Sequence, residues 1–306
     1  MQIGIITVRD GSYHPNGRLM EAAAARGHRA ELIHPYRLWP WIDSRGLGCQ
    51  GEPDPQSLDV VLPRQGATIG DSSLALLHHL GCMGLPLVND ADAVRLSRSQ
   101  ILTLQALATR KLPVPETLFV NSPAGFDRAV VLLGGYPVVV KQVSGRQGTG
   151  IRLVEDSARA QAVIANELDR RAGILVQRFI PPANRRDIRV MVVAGRIAGA
   201  MEMKPRQGDF RANFHLTGES RAVRLARGHE KLALEATGAT GLDIAGVDMI
   251  VDGHGRSYIV EVNYSPGFKG LEKATGLDIA GCMIDCAAAK SGAREAGKIK
   301  KTNTKH

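Results

Sequence analysis

Aromatic residues are scarce in this chain of 306 residues, at 4%, so a folded core must be built mainly from aliphatic side chains. Cysteine is also rare, with four residues and no C-x-x-C pair, which argues against a disulfide-stabilised secreted domain. No apolar run approaches the length of a membrane span, and the first residues lack the basic segment that opens a signal peptide. These absences predict a cytoplasmic protein with no membrane partner.

Positive charge exceeds negative charge, and the formal net charge is +9. Residues 290–306 hold six basic residues and one acidic residue, so this short segment supplies +5 of the total. Because it has almost nothing to bury, we predict a basic, disordered tail. Such a tail can attract RNA weakly. The rest of the chain contains no known nucleic-acid motif, so nucleic acid is not the expected partner.

Strand-like and helix-like stretches alternate through the first 90 residues. Residues 3–8 form an apolar run and residues 16–26 have a helical pattern, which together predict a small parallel sheet with helices on its faces. Proline and glycine are frequent in residues 39–55, which predicts an exposed loop. Residues 91–111 then predict one long helix that ends before two prolines.

Strand patterns dominate the second half of the chain. Residues 187–194 with 197–203, and residues 245–251 with 258–263, predict two antiparallel hairpins. Helical patterns are grouped between them and after them, which is typical of an α+β domain. The predicted fold class is therefore α/β followed by α+β.

A glycine-rich stretch, residues 145–150, is a candidate phosphate cover. It is followed by a strand rather than a helix, so it is neither a P-loop nor a dinucleotide fingerprint. Glycines in a hairpin turn let backbone N–H groups approach phosphates closely, although such a stretch is more often only a turn. Lys141 favours the phosphate interpretation, because an ammonium ending an apolar strand is costly to bury without an anion.

Oxygen-bearing side chains are predicted on one face of the last hairpin. Glu261 and Asn263 are two apart in a strand and therefore share a face, which places Val260 and Val262 on the other face. Asp248 lies in the partner strand, roughly opposite. Hard oxygen ligands among aliphatic residues suit magnesium that bridges phosphates, although a solvated face with scattered acids is the alternative.

Together these motifs resemble the ATP-grasp ligases, most closely the RimK type, which adds glutamates to the C-terminus of a small-subunit ribosomal protein. The resemblance covers nearly the whole chain up to about residue 287 and is carried by residues 9–11, 63–64, 141, 147–151, 187–189, 208–213, 245–248, 261–267, 270–272 and 275–281.

The resemblance implies an ATP-grasp fold with an N-terminal α/β pre-ATP-grasp domain at residues 1–90 and a linker helix at residues 91–112. A small subdomain with a glycine-rich flap would span residues 113–184. A large subdomain with the metal site would span residues 185–289, followed by the basic tail at 290–306.

The same resemblance implies ATP and two Mg²⁺ or Mn²⁺ ions as cofactors. Asp248, Glu261 and Asn263 would bind the metal ions, and Lys141 and Arg211 would be catalytic. Asp187 would hold the ribose. The full set implied for nucleotide binding is Lys141, Gly148, Thr149, Gly150, Gln177, Arg178, Phe179, Asp187, Arg211, Ala212 and Asn213.

Four positions depart from the family pattern. Arg178 stands where the family usually has a glutamate, and Gln100 where it usually has a lysine that reaches the nucleotide. Met203 and Lys204 stand where two arginines often precede the Gly-Asp-Phe-Arg motif.

Three functions stay open at this stage. The first is a RimK-like ligase that uses glutamate and a protein or peptide acceptor, such as a small-subunit ribosomal protein, and forms a homo-oligomer. The second is an ATP-grasp ligase with another small acceptor, as in glutathione-synthase-like or coenzyme glutamyl ligases. The third is a diverged protein that binds nucleotide without turnover. The complete trio of metal candidates argues against the third.

Overall fold

A computed structural model describes residues 1–143, 150–204 and 220–303, with the backbone alone for residues 293–303. Across these ranges, no helix combines the length and apolarity needed to cross a lipid bilayer.

A three-stranded parallel sheet forms the first part of the chain, with strand order β2-β1-β5. This confirms the α/β prediction for the N-terminal part. The central strand β1 and its neighbour β5 are mainly apolar and buried, whereas β2 carries Arg29 and Glu31 and forms a more exposed edge of the sheet. The elements are β1 (Gln2–Ile6), α1 (His14–Ala25), β2 (Arg29–Ile33), β5 (Val60–Pro63) and α2 (Asp71–Cys82).

The predicted loop at residues 39–55 is wrong, because β3 (Leu38–Asp43) and β4 (Gly46–Gly51) pair there as an antiparallel hairpin. The glycines and prolines that suggested a loop lie at the turn and along an exposed two-stranded ribbon, where they are tolerated. Asp43 Oδ1 accepts a hydrogen bond from Arg45 N at 2.8 Å, and Gly46 takes a φ of 133°. Both features tighten the turn.

Two helices replace the single long helix predicted at residues 91–111. They are α3 (Ala91–Arg98) and α4 (Gln100–Thr109), and Ser99 between them is extended, with φ −97° and ψ 115°. Ser99 Oγ accepts a hydrogen bond from Leu102 N and so caps the second helix. Serine competes well for this position, which explains why the helix restarts there.

A four-stranded sheet with order β6-β9-β7-β8 follows the linker helices. The predicted hairpin around the glycine-rich stretch is confirmed by the antiparallel pairing of β7 with β8. The elements are β6 (Thr117–Val120), α5 (Pro123–Leu132), β7 (Val138–Gln142), β8 (Ile151–Val154), α6 (Ser157–Glu167) and β9 (Ile174–Arg178).

A five-stranded antiparallel sheet with order β12-β11-β10-β13-β14 forms the last part. Both predicted hairpins, β10 with β11 and β13 with β14, are confirmed. The elements are β10 (Arg186–Val193), β11 (Arg196–Met203), β12 (Ser220–Ala222), α7 (Arg227–Thr240), β13 (Ile244–Val251), β14 (Ser257–Asn263), α8 (Lys269–Thr275) and α9 (Ile279–Asn303).

The final helix differs from the prediction of a disordered tail from residue 290. α9 continues through Asn303. Its sequence beyond Lys290 is rich in Ala, Lys, Arg and Glu, which are strong helix formers, and contains no proline. The prediction considered only how few apolar residues the segment could bury, and it therefore overlooked the helix preference of these residues.

The N-terminal sheet and the C-terminal helices share one apolar core. Ile3 and Leu19 of the first part pack in the same cluster as Phe268, Met283 and Ala287. All five side chains are fully buried. The first and last parts of the chain are therefore packed together, and this contact positions the ends of β1 and β5 beside the segment that follows β14.

Candidate active site

The β13–β14 hairpin brings the three predicted metal ligands together. Asp248 pairs directly with Glu261, and Gly246 with Asn263, so the three side chains lie on one face of the sheet. Asn263 Nδ2 donates to Asp248 Oδ2 at 3.2 Å. Asp248 is 8% exposed, whereas Glu261 is open to solvent. The arrangement offers two carboxylates and an amide from adjacent strands.

A β-bulge at Val260 sets this arrangement. The pairing shifts after Asp248, so that Met249 faces Ile259 and Val260 has no partner in the ladder. Ile259 and Val262 are both in the core, although they are three residues apart. The prediction that Val260 lies on the buried face with Val262 is therefore wrong, because the extra residue reverses the alternation.

The carbonyl of the bulged residue is held from the linker. Gln100 Nε2 donates a hydrogen bond to Val260 O at 2.9 Å. Gln100, which stands where the family usually has a lysine, thus supports the strand that carries Glu261. This role was not predicted, because the residue pattern of a strand does not show which carbonyl a bulge leaves without a partner in the sheet.

Arg189 is the second partner of Asp248. Its Nε and Nη2 atoms lie 2.6 Å from the two carboxylate oxygens, which is a bidentate ion pair. Burial disfavours the charge on Arg189, but Asp248 outweighs burial, so the pKa of Arg189 is raised. This pair could not be recognised from local sequence patterns, because β10 and β13 are far apart in the chain and their adjacency depends on strand order.

Lys141 approaches the same carboxylates from the other sheet. It is half-buried near the end of β7. Burial lowers the pKa of its ammonium, while Glu261 and Asp248 act to raise it. Desolvation and the negative charge of Asp248 raise the pKa of Glu261. The positive charges of Arg189 and Lys141 act to lower it. Lys141 in one sheet and the two carboxylates in the other are therefore close enough to influence one another electrostatically.

The predicted adenine-lining residues lie at the end of β9. Gln177 is buried and donates to Thr117 Oγ1 at 2.8 Å. Arg178 is exposed and forms an ion pair with Glu116. Arg178 and Phe179 line a cavity of about 290 Å³, whose opposite wall includes Tyr258.

Asp187 is 7% exposed and accepts a hydrogen bond from Arg185 Nε at 2.9 Å. Burial raises the pKa of its carboxyl group, although Arg185 opposes this effect. Gly150 is buried immediately before β8, and its carbonyl accepts a hydrogen bond from Gln142 N at 3.1 Å. A Cβ at Gly150 would lie 3.0 Å from the Gln142 side chain, which favours glycine there.

Five predicted site residues lie outside the described residues. They are Gly148, Thr149, Arg211, Ala212 and Asn213.

Comparisons with known proteins identify the family of this chain. A family model described as a RimK-like ATP-grasp domain matches residues 97–287, and one described as a RimK PreATP-grasp domain matches residues 1–94. The chain belongs to the RimK-like ATP-grasp family. The predicted ATP-grasp fold with a pre-ATP-grasp domain is thereby confirmed, and this RimK-like protein is an ATP-dependent ligase.

Similar proteins extend over nearly the whole RimK-like chain. The probable α-L-glutamate ligase of Aliivibrio fischeri strain MJ11 is 36% identical over 287 residues, covering 93% of this chain and 94% of that protein. A RimK-domain ATP-grasp protein from Sphaerobacter thermophilus has a TM-score of 0.73 at 25% identity, covering 94% and 100% of the two chains. The ATP-grasp ligase PsnB, complexed with a minimal precursor, Mg and ADP, has a TM-score of 0.71 at 19% identity, covering 95% and 97%.

The donor set of this RimK-like protein fits the Mg²⁺ that its family uses with ATP. Asp248, Glu261 and Asn263 offer hard oxygen ligands on one face, beside a lysine suited to phosphate. Among the described residues, no group of three His, Cys, Asp or Glu side chains is arranged to hold a metal ion. The candidate site therefore depends on the asparagine and on ligands from substrate or water, as is usual for magnesium.

Proposed function

We propose that this RimK-like ligase adds L-glutamate to the carboxyl end of a protein or peptide through an acyl phosphate. The convergence of Lys141 with the Asp248–Glu261 pair carries the proposal, because it provides opposite charges for a triphosphate and its metal ions. The names of the similar proteins, probable α-L-glutamate ligases, support glutamate as the added amino acid.

The proposed reaction begins when a substrate carboxylate attacks the γ-phosphate of ATP, which forms an acyl phosphate and releases ADP. The amine of the incoming amino acid then displaces phosphate and leaves an amide. Two anions must meet in the first step, and Lys141 reduces their repulsion. Bound Mg²⁺ would supply charge neutralisation at the phosphate oxygens, held by Asp248, Glu261 and Asn263.

The other roles follow from the family resemblance. We propose that Arg211 stabilises the transferring phosphoryl group, with Ala212 and Asn213 beside it. The glycine-rich cover, Gly148–Gly150 with Thr149, would exclude water from the acyl phosphate. Gln177, Arg178 and Phe179 would line the base, and Asp187 the ribose.

An ADP-release assay tests the function. We expect ADP to form when Mg-ATP, glutamate and a peptide ending in Glu-Glu are all present, and mass spectrometry to show a peptide lengthened by glutamate. Reactions without glutamate or without peptide provide the controls. ADP release that needs neither compound would contradict the proposal.

A different acceptor is the second candidate function, and one observation favours it. Met203, which stands where the family often has an arginine, is 4% exposed and packs in the core, so it contributes no charge to a substrate. A panel of amino acids and small carboxylates in the same assay distinguishes the two candidates. Stimulation by a compound other than glutamate and peptide would support the alternative.

A further inference from the structure

Arg64 lies where the carboxyl ends of two parallel strands meet. It directly follows β5, and its N–H donates to Ile6 O, the last residue of β1, at 2.8 Å. In open parallel sheets, ligands bind in the crevice beyond these strand ends. Arg64 is nevertheless 8% exposed, which is unusual for an arginine unless an anion accompanies it.

The guanidinium of Arg64 lacks such an anion. Its Nη2 donates to Pro266 O at 2.7 Å, and its Cζ atom lies 5.9 Å from the ring centre of Phe268. Its buried Nε has no hydrogen-bond partner, and no carboxylate among the described residues is a main influence on its pKa. Burial lowers the pKa of Arg64 to about 10. A buried charge left in this state is costly, and a bound anion would remove most of the cost.

Polar atoms without partners also occur in the segments next to Arg64. Glu272 is not one of them, because its carboxylate, 3.8 Å from His14, is paired with Arg18 at 3.1 Å. The His14 ring packs edge-on against Phe268 at 5.7 Å, so it borders the same space as Arg64. The unpartnered buried atoms in this region are His14 Nδ1, Asn16 Oδ1, Arg64 Nε and Gln65 Oε1. Donors and acceptors are thus both present, as an amino acid or peptide end requires.

The arginine is tied to the candidate active site. Pro266, its hydrogen-bond partner, follows Asn263 by three residues. Tyr264, between them, donates its hydroxyl to Gly66 O, two residues after Arg64. The loop after β5 and the segment after β14 are therefore joined beside the Asp248–Glu261 pair.

We propose that Arg64 binds a substrate carboxylate, either of the incoming amino acid or of the acceptor end, next to the reacting centre. The proposal rests on the proposed ligase function. A planar guanidinium recognises carboxylates with two parallel hydrogen bonds, and the free Nε is one of the donors needed. The apolar face of Phe268 would keep the guanidinium oriented toward the ligand.

Steady-state kinetics of Arg64→Gln, Arg64→Lys and Arg26→Gln test this assignment. Arg26 is the matched control, because it also joins the N-terminal part of the chain to the C-terminal part, through Asp285 at 2.6 Å, but follows α1 rather than a strand. We expect Arg64→Gln to raise one KM by about 10- to 100-fold while Mg-ADP affinity stays unchanged. A raised KM for glutamate identifies the amino acid as the source of the carboxylate, and a raised KM for peptide identifies the acceptor. Arg64→Lys should recover part of the loss.

Unchanged KM values in an Arg64→Gln protein that still binds Mg-ADP would overturn the assignment while leaving the ligase function intact. If the wild-type protein shows no glutamate-dependent ADP release, the proposed function fails instead. Calorimetry with glutarate and glutamate in the presence of Mg-ADP then tests whether Arg64 binds a carboxylate. Binding that is lost in Arg64→Gln and kept in Arg26→Gln supports the carboxylate site, and absence of binding to the wild-type protein overturns it.

Discussion

Asp248 and Glu261 face each other in the candidate active site but differ in how many partners hold them. Asp248 is held by both donors of Arg189 and by Asn263. Glu261 is exposed to the cleft and forms no hydrogen bond with any described side chain; its surroundings include a second carboxylate that repels it. Asp248 therefore supports the fold through these contacts, whereas Glu261 has no comparable contact among the described side chains.

Substitutions at these two carboxylates are expected to separate activity from stability. Glu261→Gln should abolish ADP formation and change the free energy of unfolding by less than about 0.5 kcal/mol, because no partner is lost. Asp248→Asn should also abolish activity but cost about 3 to 5 kcal/mol, since Arg189 is left as an uncompensated buried charge. Urea denaturation of both variants measures the difference. Equal stability losses would contradict the roles assigned to the two carboxylates.

His229 makes stability depend on pH. Burial and the nearby Arg186 lower the pKa of its ring below the ordinary 6.5. The unfolded chain therefore binds this proton at higher pH than the folded protein, and stability falls as pH drops below about 6.5. We expect His229→Gln to show a shallower fall in urea midpoint between about pH 7 and 5. The exposed His254→Gln is the control, and a fall as steep as in the wild-type protein would refute the assignment.

Residues of the candidate site could be predicted where a short stretch of sequence was enough to recognise them. Lys141 ends an apolar strand, and Glu261 and Asn263 alternate on another, so each pattern could be recognised within a few residues. Arg189 and Arg64 were not predictable as partners of the site. Their importance depends on which strands lie side by side, and a surface arginine is the ordinary expectation.

At the scale of elements, hairpins with clear alternation were predicted well, and irregularities within them were not. The pairing of β10 with β11 and of β13 with β14 followed from period-two patterns. The bulge at Val260 left no local mark, because Ile259 and Val260 are both apolar and either could face the core. The break at Ser99 was missed for a similar reason, since the apolar pattern continues on both sides of it.

The link between α4 and the bulge predicts a defined loss when Gln100 is removed. Gln100→Leu should cost about 1 kcal/mol of stability, because Val260 O loses its partner. Activity should fall further than stability, since Glu261 would be less well positioned. The exposed Gln105→Leu on the same helix is the control. ADP-release rates equal in both variants would show that the hydrogen bond does not position the carboxylate.

Across the whole molecule, one asparagine joins the first part of the chain to the last sheet. Asn89 is 2% exposed; its Oδ1 accepts from Asp243 N at 2.6 Å and Ile244 N at 2.7 Å, and its Nδ2 donates to Ile244 O and Tyr264 O at 2.8 Å. Asn89→Ala should therefore destabilise the protein by about 2 to 4 kcal/mol. Thermal unfolding measures this loss. Asn166→Ala, at an exposed position, should change the free energy of unfolding very little. An equally small change for Asn89→Ala would contradict the role given to its hydrogen bonds.

Nucleotide binding should stabilise the whole protein through the same cleft. At about 100 times Kd, Mg-ATP is expected to add about 2.7 kcal/mol to the free energy of unfolding. Lys141→Met should lose most of this gain while the ligand-free protein stays as stable, because an ammonium that burial disfavours is removed. The exposed Lys231→Met is the control. An undiminished thermal shift in Lys141→Met would exclude Lys141 from the phosphate site.

The shared core of the first sheet and the last helix has a consequence for synthesis. Ile3 and Leu19 emerge from the ribosome early, but Met283 and Ala287, which pack against them in one core, emerge only after both intervening sheets. During translation, the nascent N-terminal sheet must keep an apolar surface uncovered until the helix that starts at residue 279 has been synthesised. Native closure of this enzyme is therefore a late event, and truncation before residue 279 would leave that surface open to aggregation.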